Sequence, residues 1–220
     1  MASHAEAIAS VQAGDPGTIR KILADDPTLA SARDANGVSA LMYAFYYRRA
    51  EIADLLLAAK PDLDIFEGTA AGKTEAVLAI LHKDHDAAKV WSPDGFTALH
   101  FAAFFNRPEI ARELIRHGAD AGAVARNPMK VTPLHSAAAA HSREIVELLL
   151  EHGAPPNLPQ QGGWTPLHEA AQLGDEMMVK ILLQHGANPR TKSDDGRTPV
   201  DMAKAKGHGS IVKMLERAQE

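Results

Sequence analysis

The chain repeats itself, and that property restricts its architecture more than any other. Thr132-Pro-Leu-His135 and Thr165-Pro-Leu-His168 are echoed by Thr97-Ala-Leu-His100, Thr198-Pro-Val-Asp201 and, more faintly, Ser39-Ala-Leu-Met42. The step is 33 residues from Thr132 to Thr165 and again from Thr165 to Thr198, and 35 from Thr97 to Thr132. A period in this range means one supersecondary unit per repeat, each burying its apolar face against its neighbours rather than in a central core.

Start and stop signals divide every unit into two short helices. A threonine hydroxyl accepts an orphan backbone N–H at a helix start, and proline at the next position sacrifices only an N–H that would be unpaired anyway. A first helix is therefore expected at each TPLH. Gly174 and Gly207 supply the left-handed conformation that ends it, and Asn106 and His141, residue types that tolerate positive φ, hold the matching places. A second helix follows, with stripes such as Ile110, Ala111, Leu114 and Ile115, or Ile145, Val146, Leu149 and Leu150, at helical spacing. Gly118, Gly153 and Gly186 end it.

These residues closely resemble the ankyrin-repeat family: TPLHxAA, a helix-ending glycine, then LLxxGA. His117-Gly-Ala-Asp120, His152-Gly-Ala154 and His185-Gly-Ala-Asn188 match its second-helix ending, and Asp94-Gly95, Gly162-Gly163 and Asp195-Gly196 match its hairpin tips. The resemblance implies an all-α solenoid of antiparallel helix pairs, with short β-hairpin fingers between repeats and a concave face made of fingers and first helices. It also implies that His100, His135 and His168 hydrogen-bond within and between repeats.

The first 96 residues depart from the pattern, but a shift of 58 residues lays Ile22-Leu23, Gly37, Ala40-Leu41 and Glu51-Ile52-Ala53 onto Ile80-Leu81, Gly95, Ala98-Leu99 and Glu109-Ile110-Ala111. Ala9–Gly14 and Glu67–Gly72 then read as degenerate first helices. One domain over 1–220 is expected, with repeats at about 4–38, 39–62, 63–96, 97–131, 132–164 and 165–197 and a C-terminal cap at 198–220. One finger is missing: after Leu55-Leu-Leu57, Lys60-Pro-Asp-Leu-Asp64 runs directly into the next helix. A notch in the concave wall is expected there, with Phe45, where the family has alanine, filling or reshaping it.

Three constellations resemble chemistry without supplying it. Gly68-Thr-Ala-Ala-Gly-Lys-Thr74 has three residues between its glycines where a P-loop needs four, and no strand precedes it. His82 and His85, with Asp84 and Asp86 nearby, offer zinc-ligand types beyond a helix end without convergent geometry, so no metal or cofactor is expected. No Gly-x-Ser-x-Gly elbow, cysteine nucleophile or His-Glu-x-x-His pair occurs, so no catalytic residue is assigned and no enzyme is expected.

Bulk properties narrow the partners. A net charge of −5 argues against nucleic acid, which draws its affinity from a basic stripe. Arg126 and Lys130 form only a local basic spot, and Lys204, Lys206, Lys213 and Arg217 solvate the C-terminal cap. The absence of an apolar run of about 18 residues, of a secretory signal and of cysteine makes a cytoplasmic protein without a membrane contact the expectation.

The aromatic residues indicate a binding surface. Of two Trp, three Tyr and six Phe, four fall at Tyr43, Phe45, Tyr46 and Tyr47 and four at Phe96, Phe101, Phe104 and Phe105. The resemblance places Tyr46 and Tyr47, Ala70 and Ala71, Phe104 and Phe105, Ala139 and Ala140, then Gln172 and Leu173 on the groove, so aromatic pairs flank a small-residue gap. Tyr43 and Phe101 fall at a usually buried position and are assigned to the core. Tyr46, Tyr47, Trp91, Phe104, Phe105, Trp164 and Leu173 are the expected partner-binding residues, since large rings in a partly desolvated patch anchor protein interfaces. The reading is a non-catalytic module that holds a partner protein by shape and apolar complementarity. Its alternatives are a small molecule or lipid tail in the Ala70–Ala71 notch and, further off, nucleic acid on the Arg126–Lys130 finger. A monomer is expected, with self-association through the aromatic patch as the competing state.

Overall fold

The computed structural model describes residues 2–60 and 62–219. Helices come in consecutive pairs: α1 (His4–Ala13) with α2 (Pro16–Asp25), α3 (Ala40–Tyr46) with α4 (Ala50–Ala59), α5 (Ile65–Ala71) with α6 (Thr74–Lys83), α7 (Ala98–Phe104) with α8 (Pro108–Arg116), α9 (Pro133–Ala139) with α10 (Arg143–Glu151), α11 (Pro166–Leu173) with α12 (Glu176–Gln184), and α13 (Pro199–Lys206) with α14 (Gly209–Arg217). The odd-numbered helices stack on one another as one layer and the even-numbered ones form the second.

The caps act as the sequence indicates. Thr97, Thr132, Thr165 and Thr198 head their helices in extended conformation, each in a reciprocal cap with the residue three positions on. Gly72, Gly174 and Gly207 close first helices in the left-handed region, and Asn106 and His141 do so at φ 52° and 54°. His100 accepts from the Thr97 N–H through Nδ1 (3.2 Å) and donates through Nε2 to the Val131 carbonyl, at the end of the finger that leads into the next repeat (3.1 Å). His135 and His168 repeat both bonds, to Trp164 and Arg197. These histidines therefore join cap to stack.

The expected β-hairpin fingers are not formed. Among the described residues there are no strands, only isolated bridges at Arg33–Ser39 and Trp91–Thr97. The fingers are loops tied tip to tip by single backbone bonds, from Arg126 to Gly95, Gln161 to Met129 and Asp194 to Gly162. Pro128, Pro155, Pro156 and Pro159 remove donors from two of these loops. A two-stranded hairpin is marginal in water even with every donor present.

The finger missing between α4 and α5 changes the stack in a way the sequence did not indicate. Residues 60–64 alone connect the two helices, so the loop after Arg33 meets the loop after Trp91 directly over α5, and a Cβ on Gly37 would lie 3.2 Å from Pro93 Cγ. The expected notch in the finger wall is closed. The opening lies instead in the even-numbered layer, where a cleft of about 770 Å³ separates Asp54, Leu57 and Ala58 of α4 from Thr74–Ala76 of α6. Two apolar clusters flank this break, one drawn from residues 7–56 and the other from 65–215.

At the same junction the ordinary capping histidine is replaced by Glu67. It is fully buried and ion-paired with Lys60, itself 8% exposed, at 2.6 Å, while also accepting from the Asp64 N–H. Lys60 thus supplies from the short linker the polar partner that a finger carbonyl supplies elsewhere.

Candidate functional site

The aromatic residues meet across α5 because α5 is small-sided: Gly68 and Ala70 are buried, and Ala71 and Gly72 follow. Phe101 is buried at the centre of the group, with ring centroids 5.9 Å from Phe66, 5.6 Å from Phe96, 6.3 Å from Tyr46 and 6.4 Å from Phe105. Phe45 reaches Phe105 at 5.7 Å. Tyr46 donates its hydroxyl to Asp94 Oδ2, and burial together with that bond raises its pKa far above that of a free phenol. Tyr43, half-buried, donates to Asp34 at 2.7 Å.

Two grooves run on either side of this group and share Tyr46, Phe104 and Ala139. The finger groove, about 650 Å³, lies between α7, α9 and the loops at 92–96 and 127–131. Its walls are Phe96, Phe101, Phe104, Met129 and Val131, and Asp94 is its one carboxylate. His100 and His135 also line it, but burial lowers both to about 4, so each is neutral near pH 7. The second groove, about 520 Å³, follows the carboxyl ends of α3, α5, α7 and α9 and reaches the starts of α4 and α6. Phe45, Phe104 and Phe105 wall it over Ala71, Ala139 and Ala140.

The expected partner-binding residues divide accordingly. Phe104, 47% exposed, stands on the ridge between the grooves; Tyr46 lines both and Phe105 lines the second, each half-buried in ring contacts. Tyr47 is 48% exposed but lies outside both, stacked on Tyr43 at 6.1 Å. Trp91 is covered by the Arg126 guanidinium, 4.2 Å from its ring centroid. Trp164 packs on the core beside His168, and Leu173 sits half-buried at the end of α11. Met129 and Asp94 were not anticipated. Met129 could have been found as an apolar residue next to a proline on a finger.

Residues 68–74 and the His82–His85 pair are packed against other parts of the fold. Gly68–Thr74 is the end of α5, its glycine cap and the start of α6, with Arg107 packed over Gly72 and donating to the Ala70 carbonyl. His85 stacks on His117 at 5.1 Å, and among the described residues no group of three or more His, Asp or Glu is arranged to hold a metal. Among the same residues no helix is long and apolar enough to cross a membrane.

Paired helices stacked in two layers, stapled by TPLH histidines and closed by left-handed caps, define a helical repeat solenoid. Family models describing ankyrin repeats match residues 67–160 (three copies) and 167–216 (many copies), and the chain belongs to the ankyrin-repeat family. No curated protein matches it. Ankyrin repeats are generally non-catalytic protein–protein interaction modules.

Proposed function

We propose that this protein acts without turnover, holding a partner protein on the face formed by its first helices and finger loops. The observation that carries this reading is Phe104, a ring left about half in water on the ridge between two apolar grooves. Covering the exposed part is worth roughly 1 kcal/mol, and contiguous apolar surface of this kind marks contact sites. The chain works as a cytoplasmic monomer in this reading. Cross-linking in native lysate tests it, comparing wild type with Phe104→Ala and Ala139→Arg. Loss of one specific protein in both folded variants supports the reading; an unchanged set of cross-links overturns it. Light scattering tests self-association through the same face.

A second reading has its own observation. The finger groove is within the range of small-molecule pockets in volume and nearly all apolar in its walls, which suits a ligand with a hydrophobic body. Native mass spectrometry of the purified chain would then show a bound mass that Ala139→Arg removes.

A further inference from the structure

The second groove differs in charge from the molecule that carries it. On a chain of net charge −5, three cations, Arg48, Arg49 and Lys73, line its mouth against the single carboxylate of Asp54. Among the described residues none of the three has a carboxylate within ion-pair distance. Arg20, Arg112 and Arg143, on the same layer of helices, all do, whereas Arg107, which heads α8 as Arg49 heads α4, does not.

The placement of these cations is specific. Arg48 has φ 54° at the turn where the later repeats place Asn106 and His141. A long side chain gains nothing in that region and costs about 1 kcal/mol. The Arg49 guanidinium packs beside Gly14 of the preceding repeat, as Arg107 packs over Gly72. Lys73 begins the next repeat's second helix and is exposed.

We infer that this groove receives an acidic segment of a partner protein, with an apolar side chain among Phe45, Phe104 and Phe105 and carboxylates against Arg48, Arg49 and Lys73. The inference rests on the proposal that a protein partner occupies this face. The Arg48–Arg49 pair and Lys73 head successive second helices, and adjacent helix axes lie on the order of 10 Å apart. Carboxylates on neighbouring residues of a peptide span that interval, whereas the one carboxylate of a fatty acid does not. The apolar floor rejects a fully hydrated polyanion such as nucleic acid, and Asp94 repels it from the adjoining groove.

The test is selection from a random peptide library displayed on phage, using the full chain as bait, then titration of the enriched peptides by fluorescence polarisation. The inference expects Asp or Glu on either side of Leu, Phe or Trp. It expects affinity to fall at least tenfold in Arg48→Asn/Lys73→Gln, whose asparagine suits the positive φ, and with added salt, but not in Lys213→Gln. Neutral or basic enriched peptides that lose binding in Phe104→Arg but not in Arg48→Asn/Lys73→Gln overturn the inference and leave the proposed function standing. Peptides indifferent to Phe104→Arg, or no enrichment at all, overturn both. A fatty acid bound to the purified chain and released by Arg48→Asn/Lys73→Gln overturns the peptide assignment in favour of a lipid.

Discussion

The Phe45 and Phe105 rings meet at 5.7 Å although Phe45 lies on α3 and Phe105 caps α7, and α5 stands between those helices in the stack. Contact over a whole repeat is available only because α5 presents glycine and alanine where its neighbours carry rings. The small-residue gap thus becomes the route by which aromatic side chains from both sides close on one another.

That closure separates structural rings from exposed ones. Phe101→Ala should destabilise the fold by about 3–4 kcal/mol, because a buried ring with four aromatic neighbours leaves a cavity. Phe104→Ala should cost under about 1 kcal/mol, its ring being half in solvent. Urea denaturation of both variants checks this, and equal losses would refute the division.

Removing Lys60 leaves the buried Glu67 carboxylate with Arg33, 3.6 Å away, as its remaining cation. Lys60→Met should cost up to about 3 kcal/mol, while Lys60→Met/Glu67→Leu should recover part of that loss. A double-mutant cycle in denaturant measures it, and additive losses would contradict the pairing.

The capping histidines make stability depend on pH in a definite direction. Burial lowers His100 and His135 to about 4, below the ordinary 6.5, so the unfolded chain binds their protons first as pH falls. Stability is complete above pH 6.5, declines between 6.5 and 4, and levels off for these groups below that. At pH 5 the loss is about 2 kcal/mol for each histidine. Urea midpoints at pH 7 and pH 5 check this, and His135→Gln should flatten the dependence.

Where the finger is missing, Gly37 holds φ 89° with Pro93 directly opposite. Gly37→Ala meets strain and steric contact together and should cost about 2 kcal/mol. Gly153→Ala, equally left-handed but facing open space, should cost only about 1 kcal/mol. Thermal melts of the two variants distinguish the contact from the conformation alone.

Much of this was legible because it is local. Thr97, Thr132 and Thr165 announce caps within three residues, and Asn106 and His141 announce positive φ by residue type and spacing. Arg48 takes the same conformation without announcing it, since nothing in an arginine favours that region. The Lys60–Glu67 pair and the Tyr46–Asp94 bond could not be read, because both depend on how the chain packs once a finger is absent. The hairpins are an expectation from the family resemblance, and donors lost to proline account for loops in two of the fingers, while residues 33–39 form only an isolated bridge without any proline. Arg48, Arg49 and Lys73 escaped notice as a group because 24 residues of sequence and a helix pair separate the first from the last.

The break between α4 and α6 leaves the two larger apolar clusters joined through the other layer by a smaller one of Val38, Met42, Ala70 and Phe101. In a linear stack each repeat is stabilised chiefly through its neighbours, so a thin coupling lets one side open while the other stays closed. Hydrogen exchange should accordingly resolve residues 7–56 from 65–215 as separately opening units. A partner seated against Phe45 and Phe105 would touch both, and binding would then be read as a merging of two melting steps into one.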